Sequence, residues 1–181
     1  MSYLPQDYRQ TLLPWFRVKK NLLLPLRYRG ISRQEAAARL EALLAFFSYP
    51  VDLCTYPYRL SGGQQQLLAL LRCLIQEPHV MLLDEPFSAI NFYRMFALRQ
   101  KLALWARERH VALLIVSHNL DDLMLVCDRV LAVVGPPLRV VTEVCIAVPH
   151  PRRECDLAAP DIAYAKTRVY GSAGGLPCVP A

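Results

Sequence analysis

Two short apolar runs, HVMLLDEP at residues 79 to 86 and VALLIVSH at 111 to 118, constrain this chain more than any other feature. Each is too short for an ordinary buried helix and ends in polar or acidic residues. That is the pattern of a buried strand in a parallel sheet, with its carboxyl end at a site. Residues 93 to 109 between them read as a helix, giving a β-α-β unit. Downstream, NLDDLMLVCD suggests another helix, and RVLAVV and RVVTEVCIAV two more strands. Strands alternating with helices predict an α/β fold with a parallel sheet.

Upstream, residues 1 to 30 read as irregular, because prolines at 5, 14 and 25 interrupt every pattern. SRQEAAARLEALLAFF, from Ser32, reads as a helix opened by a capping box, with Ser32 accepting from first-turn amides and Glu35 reaching back. YPVDLCTYPYR reads as a proline-punctuated loop. After Gly63, Leu67, Leu70, Leu71, Leu74 and Ile75 recur at helical spacing, and Pro78 stops the helix. The segment after Pro149 is Pro/Arg-rich, then partly helical over about 160 to 170, and closes in a loose Gly/Pro stretch.

A chain of 181 residues with 54% hydrophobic and 20% charged residues has enough apolar surface for a real core. No secretory signal is visible at its start, and no apolar stretch is long enough to span a membrane. The six cysteines, at 54, 73, 127, 145, 155 and 178, form no CxxC pair and read as buried thiols in a reducing cytosol. The net charge of +6 is spread from Arg9 to Arg168 without a basic run longer than two, which suits phosphates but argues against a nucleic-acid platform.

Three places carry chemistry. Asp84 and Glu85 end the first apolar strand, where an aspartate can hold Mg²⁺ through water and a glutamate can orient or deprotonate a water attacking a γ-phosphate. Strands also end in acids for purely structural reasons, so this pair alone decides nothing. His118 closes the next strand and could reach the same phosphate. Ser61, Gly62 and Gly63 open a helix, where a hydroxyl and unobstructed amides at the positive end of the dipole make an anion site. The competing reading is a simple N-cap, which does not by itself call for a second glycine or for Gln64 beside it.

Taken in order, these motifs resemble the nucleotide-binding subunits of ABC transporters. LSGGQ (60 to 64) is similar to their signature motif, VMLLDEP (80 to 86) to Walker B, SAIN (88 to 91) to the D-loop and SH (117 to 118) to the switch-histidine loop. LPQDYRQTLLPWFRVKKNLLLPL resembles the Q-loop and its sequel, with Gln6 as the Q-loop glutamine. Together with DRVLAVVGPPLRVVTEVCIAVPHPR, this wording resembles importers of the nitrate, sulfonate and taurine type. The implied fold is a partial P-loop NTPase (RecA-like) parallel sheet with an ABC helical subdomain. The cassette would cover residues 1–150, with the helical subdomain about 7–77 and the RecA-like remainder about 78–148. A tail would follow over 149–181.

The resemblance implies an ATPase that uses ATP and Mg²⁺ and drives uptake of a small anion. Glu85, His118 and Gln6 would serve catalysis. Asp84 and Gln6 would hold the metal. Ser61, Gly62, Gly63, Gln64 and Asn91 would contact nucleotide, the signature residues touching the γ-phosphate of a second nucleotide-binding subunit in a head-to-tail dimer. Transmembrane permease subunits would dock near Leu13, Pro14 and Trp15, holding the chain on the cytoplasmic face of the membrane; a core tryptophan is the plain alternative for Trp15. The chain contains no G-x-x-x-x-G-K-[ST], so it reads as an N-terminally truncated cassette lacking Walker A. Asn91 stands where the D-loop usually has aspartate, and Leu67 where an arginine commonly follows the glutamines. The alternative function is a non-catalytic partner that supplies the signature in trans or only docks on the permease.

Overall fold

The computed structural model describes residues 1–49, 51–90 and 92–172, without the side chains of 92–96. Asn91, Cys178 and the closing Gly/Pro stretch therefore lie outside the described residues. The chain divides into two compact units, Met1–His118 and Asn119–Ala181.

The first unit is built on a parallel sheet of three strands in the order β1 (Ser2–Leu4), β2 (Val80–Asp84) and β3 (Ala112–Val116). Leu4 pairs with Leu83, which pairs with Ile115. Helix α4 (Phe92–Glu108) joins β2 to β3, and Leu98, Leu102 and Trp105 bury one stripe of it at i, i+4 and i+7. The expectation that both apolar runs are fully buried is corrected. Burial alternates along β2, and Leu114 and Val116 of β3 are each 60% exposed, because this unit covers only one face of the sheet.

Residues 1 to 30 are not irregular. After β1 comes a 3-10 turn at Tyr8–Thr11, then α1 (Val18–Tyr28), which carries Pro25 in its interior. Proline offers no N–H to the carbonyl four residues back, here that of Asn21. The Arg72 Nε donates to that carbonyl oxygen at 3.1 Å, so a neighbouring helix supplies what the proline cannot. The first turn of α1 is satisfied by the loop ahead of residue 56, with Val18 N donating to Thr55 O at 2.9 Å and Lys19 N to Leu53 O at 3.0 Å.

Helix α2 (Arg33–Phe47) packs on α1, and only half of its expected capping box forms. Ser32 Oγ accepts from Glu35 N at 3.2 Å, but the Glu35 carboxylate pairs with Arg39 at 2.6 Å, one turn on. Helix α3 (Gly62–Leu74) packs against α1 and β1 and buries Leu68, Leu70, Leu71 and Leu74.

In the second unit, α5 (Leu120–Val126) and α6 (Pro160–Ser172) accompany a separate two-stranded sheet of β4 (Arg129–Val134) and β5 (Arg139–Cys145). These strands are antiparallel and do not belong to the expected parallel sheet, which is that of the first unit. The linker 135–138 is too short for the crossover a parallel pair needs, and Gly135 takes the left-handed conformation (φ +81°) that the turn requires. Leu120, Met124, Val130, Val144, Ile146 and Ile162 form the core. Arg152, 1% exposed, donates to the carbonyls of Val148 (2.7 Å), Met124 (2.9 Å), Cys127 (2.5 Å) and Ile146 (3.3 Å). One guanidinium thus satisfies backbone acceptors from two segments of the unit, 124–127 and 146–148. Replacing it by leucine leaves them without a donor, and urea denaturation should report a loss of about 2–4 kcal/mol; a loss under about 0.5 kcal/mol contradicts this role.

Cysteine burial also departs from expectation. Cys54, Cys145 and Cys155 are exposed, Cys73 is buried and Cys127 half-buried, and all five are free thiols. Burial pushes the Cys73 and Cys127 thiols up to about 11, so at pH 8 about one in a thousand is thiolate. Iodoacetamide on the folded chain should modify Cys54, Cys145 and Cys155 and spare Cys73 and Cys127 until urea is added. Equal labelling of all five, read by peptide mass mapping, would contradict the burial.

Candidate functional site

Parallel pairing brings the carboxyl ends of β1, β2 and β3 to one edge. Gln6 follows β1, Asp84 ends β2 with Glu85 just after it, and Ser117 and His118 follow β3. Glu85 is 8% exposed and held by both its backbone and its carboxylate. Its amide donates to Val116 O at 2.9 Å, across to β3. The carboxylate Oε1 accepts from the His118 backbone N–H at 2.7 Å and lies 2.7 Å from the His118 Nδ1; Oε2 accepts from Ser117 Oγ at 3.4 Å. The rest of the imidazole stands in solvent, with the side chain 82% exposed. Asp84 is half-buried, Gln6 is exposed, and neither side chain makes a hydrogen bond among the described residues.

The carboxylate of Asp84 and the amide oxygen of Gln6 are hard oxygen donors of the kind Mg²⁺ takes. Two such donors suit a cation that arrives with phosphate oxygens and water. Among the described residues no group of three or more His, Cys, Asp or Glu could cage a metal unaided.

The start of α3 answers both readings of the glycine pair. Ser61 is the N-cap of a complete capping box: its Oγ accepts from Gln64 N at 3.4 Å, and Gln64 Oε1 accepts from Ser61 N at 2.9 Å. A Cβ on Gly63 would lie 2.8 Å from the carbonyl oxygen of Ala89, so glycine is required there by the close approach of the turn after β2. Gln64 and the second glycine thus have intramolecular reasons that the sequence does not reveal. The amides of Gly62 and Gly63 nonetheless make no hydrogen bond among the described residues. Beside them opens a recess of about 1070 Å³, lined in part by Ser61, Gly62, Gly63, Gln64, Ser88 and Lys101. Lys101 brings a positive charge to it, with its Nζ donating to Ser48 Oγ at 2.9 Å.

Sequence reasoning missed Gln66. This residue is 1% exposed and spends its whole side-chain amide on the turn after β2. Nε2 donates to Glu85 O at 2.8 Å and to Ser88 Oγ at 3.2 Å, and Oε1 accepts from Ala89 N at 2.8 Å. The available signal was a glutamine in register with Leu70 and Leu74, on the core face of the helix. Trp15 is 66% exposed, so the core reading of it is overturned. It sits in a loop held by buried Asn21, which accepts from Leu13 N at 2.9 Å and donates to Leu13 O at 3.0 Å and Phe16 O at 2.8 Å.

A parallel sheet with its polar residues gathered at the carboxyl edge, beside a helix that opens on free amides, is an α/β arrangement suited to a phosphate-bearing ligand. Residues 1–88 match the ABC transporter family. The chain is 40% identical over 172 residues to the aliphatic sulfonates import ATP-binding protein SsuB 2 of Nocardia farcinica, covering 93% of this chain and 65% of that one. It is 33% identical over 174 residues to SsuB 1 of Paracoccus denitrificans, covering 96% and 67%. It superposes with a TM-score of 0.67 on the ATP-binding cassette MJ0796, in a dimeric post-hydrolysis state bound to ADP and Pi, at 23% identity and over 81% of this chain and 63% of that one. This chain belongs to the ATP-binding proteins of ABC transporters. It spans about half to two thirds of the length of the curated relatives it matches.

The two glycines separate packing from ligand binding. Gly63→Ala forces backbone against backbone and should destabilise the chain by about 1–3 kcal/mol in urea denaturation. Gly62→Ala, whose Cβ would meet only the Tyr8 hydroxyl at 3.3 Å, should change stability by less than about 1 kcal/mol. Equal effects would contradict the close approach to Ala89.

Proposed function

We propose that this chain is the ATP-binding subunit of an ABC importer that couples ATP hydrolysis to uptake of a small anion, a sulfonate in preference to nitrate. The observation that carries the reading is the meeting of Gln6, Asp84, Glu85 and His118 at one end of a three-stranded parallel sheet. The preference for a sulfonate draws on the relatives named as aliphatic sulfonates import proteins. The cassette is residues 1–150, with the helical subdomain about 7–77 and a tail over 149–181.

In this reading Asp84 and Gln6 would hold Mg²⁺, which would supply positive charge to offset that of the phosphates. Glu85 orients the attacking water and accepts its proton on the carboxylate; its low exposure keeps it apart from bulk solvent. His118, anchored to Glu85 by Nδ1 and its own amide, leaves its other ring nitrogen for the γ-phosphate. Ser61, Gly62, Gly63 and Gln64 present the positive end of α3 to a γ-phosphate bound by a second nucleotide-binding subunit, arranged head to tail. Asn91, outside the described residues, keeps the nucleotide-contact role that the resemblance implies. That the cassette MJ0796 forms a dimer supports pairing of two such subunits.

The exposed Trp15 is the contact for a transmembrane permease, which holds the chain on the cytoplasmic face of the membrane. Among the described residues no helix is long and apolar enough to cross a membrane. The lysine and amide cradle of a G-x-x-x-x-G-K-[ST] loop contributes much of the grip on ATP, and these residues do not supply it.

A single ATPase experiment tests the reading. The chain alone should release phosphate no faster than buffer, while adding it to a full-length SsuB relative should raise the rate of that relative in proportion to the mixed species formed. Ser61→Arg should abolish the increase. An unchanged rate at saturating excess of the wild-type chain would contradict the proposed role.

A further inference from the structure

Glu85 has a backbone conformation that its residue type does not favour. Its φ of +49° lies in the left-handed region, which is unfavourable for a residue with a Cβ. Such a conformation persists only when its surroundings over-determine it. Those surroundings are unusually specific. The Glu85 carbonyl accepts from Gln66 Nε2 (2.8 Å), from Ser88 Oγ (3.2 Å) and from Ser88 N (3.3 Å). Gln66 Nε2 also donates to that Ser88 hydroxyl, and Gln66 Oε1 closes the ring by accepting from Ala89 N at 2.8 Å.

Gln66 therefore holds both ends of the turn 85–89 from the second turn of α3. One turn earlier on the same helix, Gly63 lets the Ala89 carbonyl approach to where any Cβ would clash. The left-handed residue at the root of that turn is the one whose carboxylate takes the His118 amide at 2.7 Å.

We propose that Gln66 is a positioning residue: by clamping the Glu85 carbonyl and the Ala89 amide, it fixes the left-handed backbone that aims the Glu85 carboxylate at Ser117 and His118. The start of α3 and the strand-end carboxylate consequently move as one body. The contribution of Gln66 to the ATPase rests on the function proposed above; the clamp itself is a property of the folded chain. The capping box at Ser61 and Gln64 does not involve Gln66, so loss of the clamp disturbs the turn while leaving the amides of Gly62 and Gly63 in place.

Hydrogen exchange on the full chain tests this, because two amides read the two ends of the linkage. Ala89 N–H reports the clamp directly. His118 N–H reports where the Glu85 carboxylate points, and none of its hydrogen bonds is to Gln66. Gln66→Met, similar in volume but without the amide, should speed exchange at both sites by about tenfold. Amides within the β2–β3 ladder should keep their rates. Gln66→Glu retains the acceptor and loses the donor, so Ala89 should stay protected while His118 loosens.

A wild-type rate at His118 in both variants would overturn the proposal, as would uniform loosening of the ladder in both. Rescue of His118 by glutamate, which lacks the donor, would also overturn it. In the mixed ATPase assay the working site takes only the signature residues from this chain, which the clamp does not hold, so Gln66→Met should leave kcat and KM for ATP within about twofold of wild type; a roughly tenfold loss of kcat would mean that Gln66 acts through the Gly62 and Gly63 amides and would contradict the proposal. If the wild-type chain fails to stimulate the relative, the function proposed above falls, while the exchange rates still decide the role of Gln66.

Discussion

The parallel register of β1, β2 and β3 is the constraint on which the rest depends. Leu4, Leu83 and Ile115 lie side by side, so the residues that follow each strand emerge at one edge. Gln6, the Asp84 and Glu85 pair, and Ser117 and His118 are far apart in sequence and share no local pattern. Their juxtaposition is a product of strand direction alone: an antiparallel β2–β3 pair would send His118 to the opposite end of the sheet. The shortness of β1, three residues, means that its position relies on the packing of α3 against it as well as on the ladder.

The second unit follows different rules. Its two strands pair antiparallel across a short turn, and its core is closed by one buried arginine instead of by a second layer of sheet. Burying a guanidinium is costly unless its donors are used, and Arg152 uses them on carbonyls that would otherwise be unsatisfied. It thus serves as a polar staple between α5, the end of β5 and the segment before α6. Arg72 does comparable service in the first unit, where Pro25 deprives α1 of a donor.

How far the sequence reveals these features depends on how local their causes are. β2, α4, β3 and α3 are legible, because an apolar run or a 3.6-residue stripe is a local signal. β1 is not, since a three-residue strand has no period. Neither is α1, where a proline argues against a helix on local grounds and a distant arginine supplies the missing donor. At the site, Asp84, Glu85 and His118 are legible as strand-end polar residues, and Ser61 as a cap. The cause of Gly63 is not, because the carbonyl it accommodates belongs to Ala89, and Gln66 is hidden within a run of glutamines and leucines. The readings that failed, among them the irregular start, the second half of the α2 capping box, and the burial of the sheet face and of three cysteines, depend on what packs where in three dimensions.

The central claim is that the free amides at the start of α3 face a phosphate held by another nucleotide-binding subunit. Determining the structure of this chain assembled with a full-length relative and a non-hydrolysable ATP analogue tests it most directly. The account predicts a γ-phosphate oxygen within about 3 Å of the Gly62 or Gly63 nitrogen, with Ser61 beside it. A start of α3 that faces solvent in an assembly whose triphosphate is bound elsewhere would contradict it.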